Sequence, residues 1–294
     1  GALVATVLLA GRLMQPIQKT LFLWTQFQEY RIANNQAEKM FAIEQIERRQ
    51  IDPKEYKEIG TVKLENVSFG YGGKLVFENI NLDLKIPDTI GIRGDNNAGK
   101  ATLMRLIAGI LKPTDGRIFI NGIPPSDYHS EELVKYIGYI SSNNVIFQGT
   151  ILENLTAFDE TMEHEALEIA KMLNLDKEIA LLPKGYDTKV TDGIADIIAP
   201  GIKQRVAIAR ALIHKPKIIL FHNADRGLDR EGYNLLIKFL HLINNQTTTI
   251  IVTEDHNINL LVNKEYLLKD GKLTEINPKD SRVYDLKPYK ELKI

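Results

Sequence analysis

The hydrophobic pattern of the chain changes character near residue 60. Before it, Gly1 to Ala10 is almost all apolar, and Leu13, Ile17, Leu21, Trp24 and Phe27 then recur at steps of 4, 4, 3 and 3. That spacing predicts one face of a helix. Pro16 inside the run predicts a kink, because proline has no N–H to give the helix. Polar residues take over through Arg49, and Asp52-Pro53 marks the helix end and a linker. A bilayer span needs about 20 apolar residues. Gly1 to Ala10 is too short alone, so it reads as the tail of a membrane helix or as a buried helix end.

From Thr61 the period shortens. Val62, Leu64, Val67 and Phe69 predict an edge strand, Tyr71-Gly72-Gly73 a turn, and the alternation of Ile80, Leu82, Leu84 and Ile86 a half-buried strand. Strand-like and helix-like runs follow in turn. Arg117 to Ile120 and Tyr139 to Ser141 predict short strands. Ser130 is a candidate cap of a short helix. Glu153 to about Leu182 has a helical pattern, as do Ile202 to His214 and Arg230 to Asn244. Lys217 to Phe221 and Thr248 to Thr253 are apolar enough for strands buried on both faces. Tyr266 to Ile276 predicts a terminal hairpin about Asp270-Gly271. The order predicts a mixed α/β domain with an antiparallel side sheet.

Composition narrows the function classes. Apolar residues make up 44% and charged residues 26%, the balance of an ordinary globular chain. The net charge of −1 gives no pull toward a nucleic-acid polyanion. The absence of cysteine removes disulfide and thiolate chemistry. No secretory leader is readable, and the first residue is Gly1, so the chain reads as a piece of a longer protein.

The candidate chemistry centres on Gly94-Asp95-Asn96-Asn97-Ala98-Gly99-Lys100-Ala101-Thr102. It lies between the strand-like Thr89 to Ile92 and the helix-like Leu103 to Ala108. Strand, glycine-bounded loop, lysine and helix form the layout of a phosphate cradle, with backbone N–H groups toward the anion and Lys100 toward the terminal phosphates. The full pattern places Ser or Thr directly after the lysine to meet Mg²⁺. Here Ala101 stands there and Thr102 comes one place late.

With the further motifs in order, the chain from about Thr61 to Ile276 resembles the nucleotide-binding domain of an ATP-binding cassette (ABC) transporter. The leading helix resembles the end of the last membrane helix of a bacterial exporter half-transporter of the protein- or peptide-secretion kind. The resemblance implies a P-loop NTPase core with an antiparallel β subdomain and a helical subdomain over about 126–200. It divides the chain into 1–50 (membrane-helix end and its cytoplasmic extension), 51–60 (linker) and 61–294 (nucleotide-binding domain). Tyr71 matches the aromatic that stacks on adenine. Phe147 to Leu155 and Gly185 to Thr188 match exporter markers.

The same resemblance shows where the chemistry departs. Ser142 stands for the Q-loop glutamine. Ala199-Pro200-Gly201 stands for the signature Ser-Gly-Gly, and Asp229 closes the D-loop Arg226-Gly227-Leu228-Asp229. His222 and Asn223 stand for the Walker B aspartate and glutamate that anchor Mg²⁺ and polarise water. Glu254 stands for the switch histidine, with His256 two residues on. The implied ligand is ATP, with Mg²⁺ held weakly or not at all. The implied partners are the chain's own transmembrane domain and a second half-transporter, identical or different, at the cytoplasmic face of the bacterial inner membrane, with no nucleic acid. Three readings stay open: a subunit whose own ATP site has lost hydrolysis, an active ATPase with a divergent metal shell using Thr102 or Asp225, and a structural module that binds no nucleotide.

Overall fold

The computed structural model describes residues 2–41, 59–142, 145–190 and 198–276. The linker residues Asp52-Pro53 and the Q-loop neighbour Asn143 lie outside them. The chain divides into two compact units, Gly1–Glu47 and Arg48–Ile294.

The first unit is one helix, α1 (Ala2–Phe41), with Pro16 inside it. Thr20 Oγ1 donates to the carbonyl of Pro16 at 2.8 Å. The reading of a single apolar face needs correction. Leu21, Phe22, Leu23 and Trp24 are consecutive, and each is more than half exposed. A step of about 100° per residue spreads them round the helix. Among the described residues no helix is long and apolar enough to cross a membrane.

The second unit is built on two sheets. β1 (Val62–Tyr71), β2 (Lys74–Leu84) and β4 (Asp115–Ile120) form an antiparallel sheet in the order β2-β1-β4. β1 is therefore the central strand, not an edge, and the start of the domain holds one hairpin plus a later strand. Alternation along β1 gives its buried face but not its neighbours. The main sheet has the order β11-β10-β3-β9-β8-β5. It comprises β3 (Thr89–Arg93), β5 (Ile137–Ser141), β8 (Ile218–His222), β9 (Thr248–Val252), β10 (Lys264–Lys269) and β11 (Lys272–Ile276). Every neighbouring pair is parallel except the hairpin β10-β11. A third, two-stranded pairing joins β6 (Gly149–Thr150) to β7 (Lys189–Val190).

The period of two along the central strands sorts their side chains between two cores. Ile218, Leu220, Ile250 and Val252 join a cluster with the antiparallel sheet and α2 (Lys100–Ile107). Ile219, Phe221 and Ile251 face a second cluster. That cluster is made with α4 (Ile151–Leu155), α5 (Glu163–Met172), α6 (Leu175–Ile179), α7 (Pro200–Leu212) and α8 (Arg230–Ile243). The region whose pattern reads as helical from Glu153 to about Leu182 is thus made of several short helices. Ala157 and Phe158 take positive φ of 54° and 65°, and Asn174 one of 53°. Those left-handed residues end one helix and begin another, which the apolar spacing does not reveal. At α3 (Ser130–Tyr136), His129 and not Ser130 occupies the cap position. A short helix, α9 (His256–Asn259), follows β9.

Candidate functional site

β3, β9 and β8 lie side by side in parallel, so their C-terminal ends share one rim of the sheet. In open α/β sheets that rim is where ligands bind. The loop after β3 needs glycine at two places. Gly94 has φ 151°, and a Cβ there would stand 2.3 Å from the carbonyl oxygen of Leu268. Gly99 has φ 101°, and a Cβ would stand 2.7 Å from Cγ1 of Val76. Asn97 takes φ 68°, in the left-handed region that asparagine tolerates better than most residues. Ala98 N donates to the Asp95 carbonyl at 3.1 Å, closing the turn. Gly99 caps α2 without a side-chain hydrogen bond, so the first N–H groups of the helix are left to an anion. Lys100 Nζ lies across the loop and donates to the carbonyls of Gly94 and, at 2.9 Å, Asp95.

A cleft of about 520 Å³ runs along this loop. It is lined by Tyr71, Lys74, Leu75, Val76, the loop from Asn96 to Gly99, Lys100, Ala101, Thr102, His222 and Asn223. The Tyr71 ring is 49% exposed and meets Phe69 edge-on with centroids 4.8 Å apart, leaving a flat face for another ring. Thr102 is largely buried in α2, on the core side of the position that Ala101 leaves without a hydroxyl. The lining from β2 (Lys74, Leu75, Val76) was not legible in the sequence; only the close approach of Gly99 to Val76 reveals it.

At the rim, Ser142 N donates to the His222 carbonyl at 3.1 Å, and Asn223 N to the Val252 carbonyl at 2.8 Å. Asp225 accepts from Thr253 Oγ1 at 2.7 Å. Arg226 Nη2 donates to Glu254 Oε2 at 2.8 Å, an ion pair that sequence reasoning missed. His256 is exposed in α9 and takes no place in this group. Burial pushes the Lys100 ammonium down from its ordinary value, while the Glu254 and Asp95 carboxylates push it back up. Burial also pushes the His222 imidazole down, and Lys100, Arg105 and Arg226 push it the same way.

The second predicted group stands apart from the cleft lining. Ala199 caps α7, and Pro200 fills its first turn, where a missing N–H is no loss to the helix. Gly201 lies against the loop that follows β8: a Cβ there would be 3.9 Å from the Asp229 carboxylate. Asp229 caps α8, accepting from Gly232 N at 2.8 Å.

The donor chemistry at the rim does not fit a magnesium ion. Mg²⁺ asks for near-octahedral oxygen ligands, with carboxylates chief among the protein's share. Ala101 offers none, His222 offers an imidazole and Asn223 an amide, the Asp225 carboxylate accepts from Thr253 on one oxygen, and the Glu254 carboxylate is held by Arg226. No group of three or more His, Asp or Glu suited to a metal exists among the described residues.

The depressed His222 has a consequence for stability. An unfolded histidine titrates near pH about 6.5. Below that, the unfolded chain takes up a proton that folded His222 refuses. Its contribution is therefore full above the unfolded value and is lost as pH falls toward the folded value. The urea midpoint is expected to drop between pH about 7.5 and about 5.5, and to drop less in His222→Gln. An unchanged drop in that variant would assign the effect elsewhere, with His214, which burial also pushes down, the next group to replace.

A glycine-bounded loop between a central parallel strand and a helix, with a tyrosine across the cleft and an antiparallel side sheet, defines a P-loop nucleotide-binding domain. The ABC transporter family model matches residues 77–225. The chain belongs to the ABC transporter family. It is similar to the alpha-hemolysin translocation ATP-binding protein HlyB of Escherichia coli O157:H7, with 30% identity over 97% of this chain and 41% of that protein. It is also similar to ABC transporter B family member 29, chloroplastic, of Arabidopsis thaliana, with 30% identity over 94% of this chain and 44% of that protein. Among solved structures, a bacterial Atm1-family ABC exporter with ATP bound matches with a TM-score of 0.72 and 26% identity, over 87% of this chain and 46% of that one. The chain spans less than half the length of each.

Proposed function

We propose that this chain is the nucleotide-binding part of an ABC exporter half-transporter whose own phosphate site binds nucleotide without hydrolysing it. The observation that carries the reading is the contrast at one rim of the sheet. The phosphate loop keeps its glycines, its open helix end and Lys100. The positions around it hold Ala101, Ser142, His222, Asn223 and Glu254. A general base contributes typically about 10²–10⁴ in rate. Asn223 cannot accept a proton as a carboxylate does, and His222 lies among three cations that oppose its protonation. The residues that remain bind and orient a phosphate chain, and neither His222 nor Asn223 takes over the activation of water.

In the whole protein this domain continues from its own transmembrane domain, for which α1 is the connecting helix end, at the cytoplasmic face of a bacterial inner membrane. It pairs with a second half-transporter. A different partner, holding the hydrolytic residues, suits the losses here better than an identical one. That partner's nucleotide would meet Ala199, Pro200 and Gly201 at the start of α7.

The test is nucleotide binding by calorimetry with and without Mg²⁺, beside phosphate release. Binding at micromolar order, independent of Mg²⁺ and without turnover, is expected. Mg²⁺-dependent binding with turnover lost in Lys100→Ala would sink the reading in favour of a divergent metal shell, and no binding would favour a structural module. Glu254→His alone is expected to leave phosphate release at background, since His222 and Asn223 remain.

A further inference from the structure

Glu254 occupies a particular place relative to the phosphate loop. β3 pairs with β9 in parallel, with Gly91 opposite Ile251. The loop that leaves β9 with Glu254 therefore starts beside the loop that leaves β3 with Gly94, whose carbonyl holds Lys100 Nζ. On the other side, β8 pairs with β9 with His222 opposite Val252, so the loop bearing Arg226 leaves the sheet beside Glu254. The Arg226–Glu254 contact of 2.8 Å closes that arrangement. Glu254 is thus held at this rim by Arg226, and it acts on Lys100 as well, as Asp95 does.

A phosphate chain seated in the loop has its terminal phosphates near Lys100, the ammonium on which the Glu254 carboxylate acts. There it meets a carboxylate already paired with the nearby guanidinium. Among the described residues no group of three or more His, Asp or Glu suited to a metal stands there to offset the added charge. We propose that this cleft selects nucleoside diphosphates over triphosphates, because the Glu254 carboxylate, held by Arg226, takes the place into which the last phosphate would reach. The proposal rests on the reading that the loop binds nucleotide, and it names which nucleotide. Glu254 repels the third phosphate directly and withholds Arg226 from it. A diphosphate ends short of both.

The experiment is titration of the full chain with ADP and with ATP in EDTA, followed by calorimetry. The pair is exposed, with side chains 55% and 76% accessible. Exposed ion pairs add little to stability, so substitution leaves the fold intact. ADP is expected to bind about tenfold more tightly than ATP, a preference equal to about 1.4 kcal/mol. In Glu254→Gln, ATP affinity should rise by about that factor while ADP affinity moves less than about twofold. Glu254→Asp, which keeps the charge, should keep the preference. ATP binding as tightly as ADP in the unmodified chain overturns the proposal. So does a preference that Glu254→Gln leaves unmoved; in both cases the nucleotide-binding reading stands. Failure of both nucleotides to bind overturns that reading and this proposal together.

Discussion

Replacing Lys100 with alanine is expected to weaken ADP and ATP binding about ten- to a hundredfold. Lys100 is the one side-chain cation that crosses the loop, held by the carbonyls of Gly94 and Asp95. Charge-assisted hydrogen bonds contribute about 1.5–3 kcal/mol, and each 1.4 kcal/mol is about a factor of ten in affinity. Partial burial of Lys100 strengthens its pull on an anion that shares the cleft. The substitution carries an internal check. Lys100 is one of the cations that hold the His222 imidazole down. Its removal should raise the titration midpoint of His222, read by NMR in the absence of nucleotide. Unchanged nucleotide affinity together with a raised His222 midpoint would mean that the loop N–H groups, not the ammonium, hold the phosphates.

Arg205→Leu is expected to destabilise the second unit by about 3 kcal/mol, the lower end of the range for breaking a buried ion pair. Arg205 is only 1% exposed. Its Nη2 contacts both oxygens of Glu178 at 2.6 Å, and its Nε donates to the Gly201 carbonyl at 3.3 Å. The Glu178 side chain is 30% accessible, so water recovers part of its loss, which sets the lower end. For a domain of this size the thermal midpoint should fall by roughly 6–12 °C. Arg205→Lys should recover only part, because an ammonium cannot reach Glu178 and the carbonyls of Gly201 and Leu173 at once as the guanidinium does. A loss below about 1 kcal/mol would show that α6 and α7 are held by their apolar contacts alone.

The strands that build the site were legible because their chemistry is local. β8 and β9 are short apolar runs, and the turn at Asp270-Gly271 takes the positive φ values, 50° and 75°, that its residue types allow. The phosphate loop was legible from spacing, since glycine and lysine positions suffice to specify it. Other features depend on contacts that no local pattern encodes. The centrality of β1 depends on β4, some fifty residues away, choosing it as neighbour. The breaks near Phe158 and Asn174 depend on left-handed backbone that tertiary packing imposes. Arg226 and Glu254 are 28 residues apart, and their pairing follows only from the adjacency of β8 and β9. Arg205 read as one more residue of a helix; its burial against Glu178 appears only when α6 meets α7.

The register of β8 and β9 has a consequence for how such a chain changes over generations. From Ile218 to Phe221 and from Thr248 to Val252 every side chain is buried, so selection for a folded domain acts on each of them. His222, Asn223, Thr253 and Glu254 come where that burial gives way. Folding alone holds those four loosely. Once turnover is no longer selected, they are free to drift while the strands that present them stay as they are, and persistence of the fold keeps no record of whether the chemistry survives.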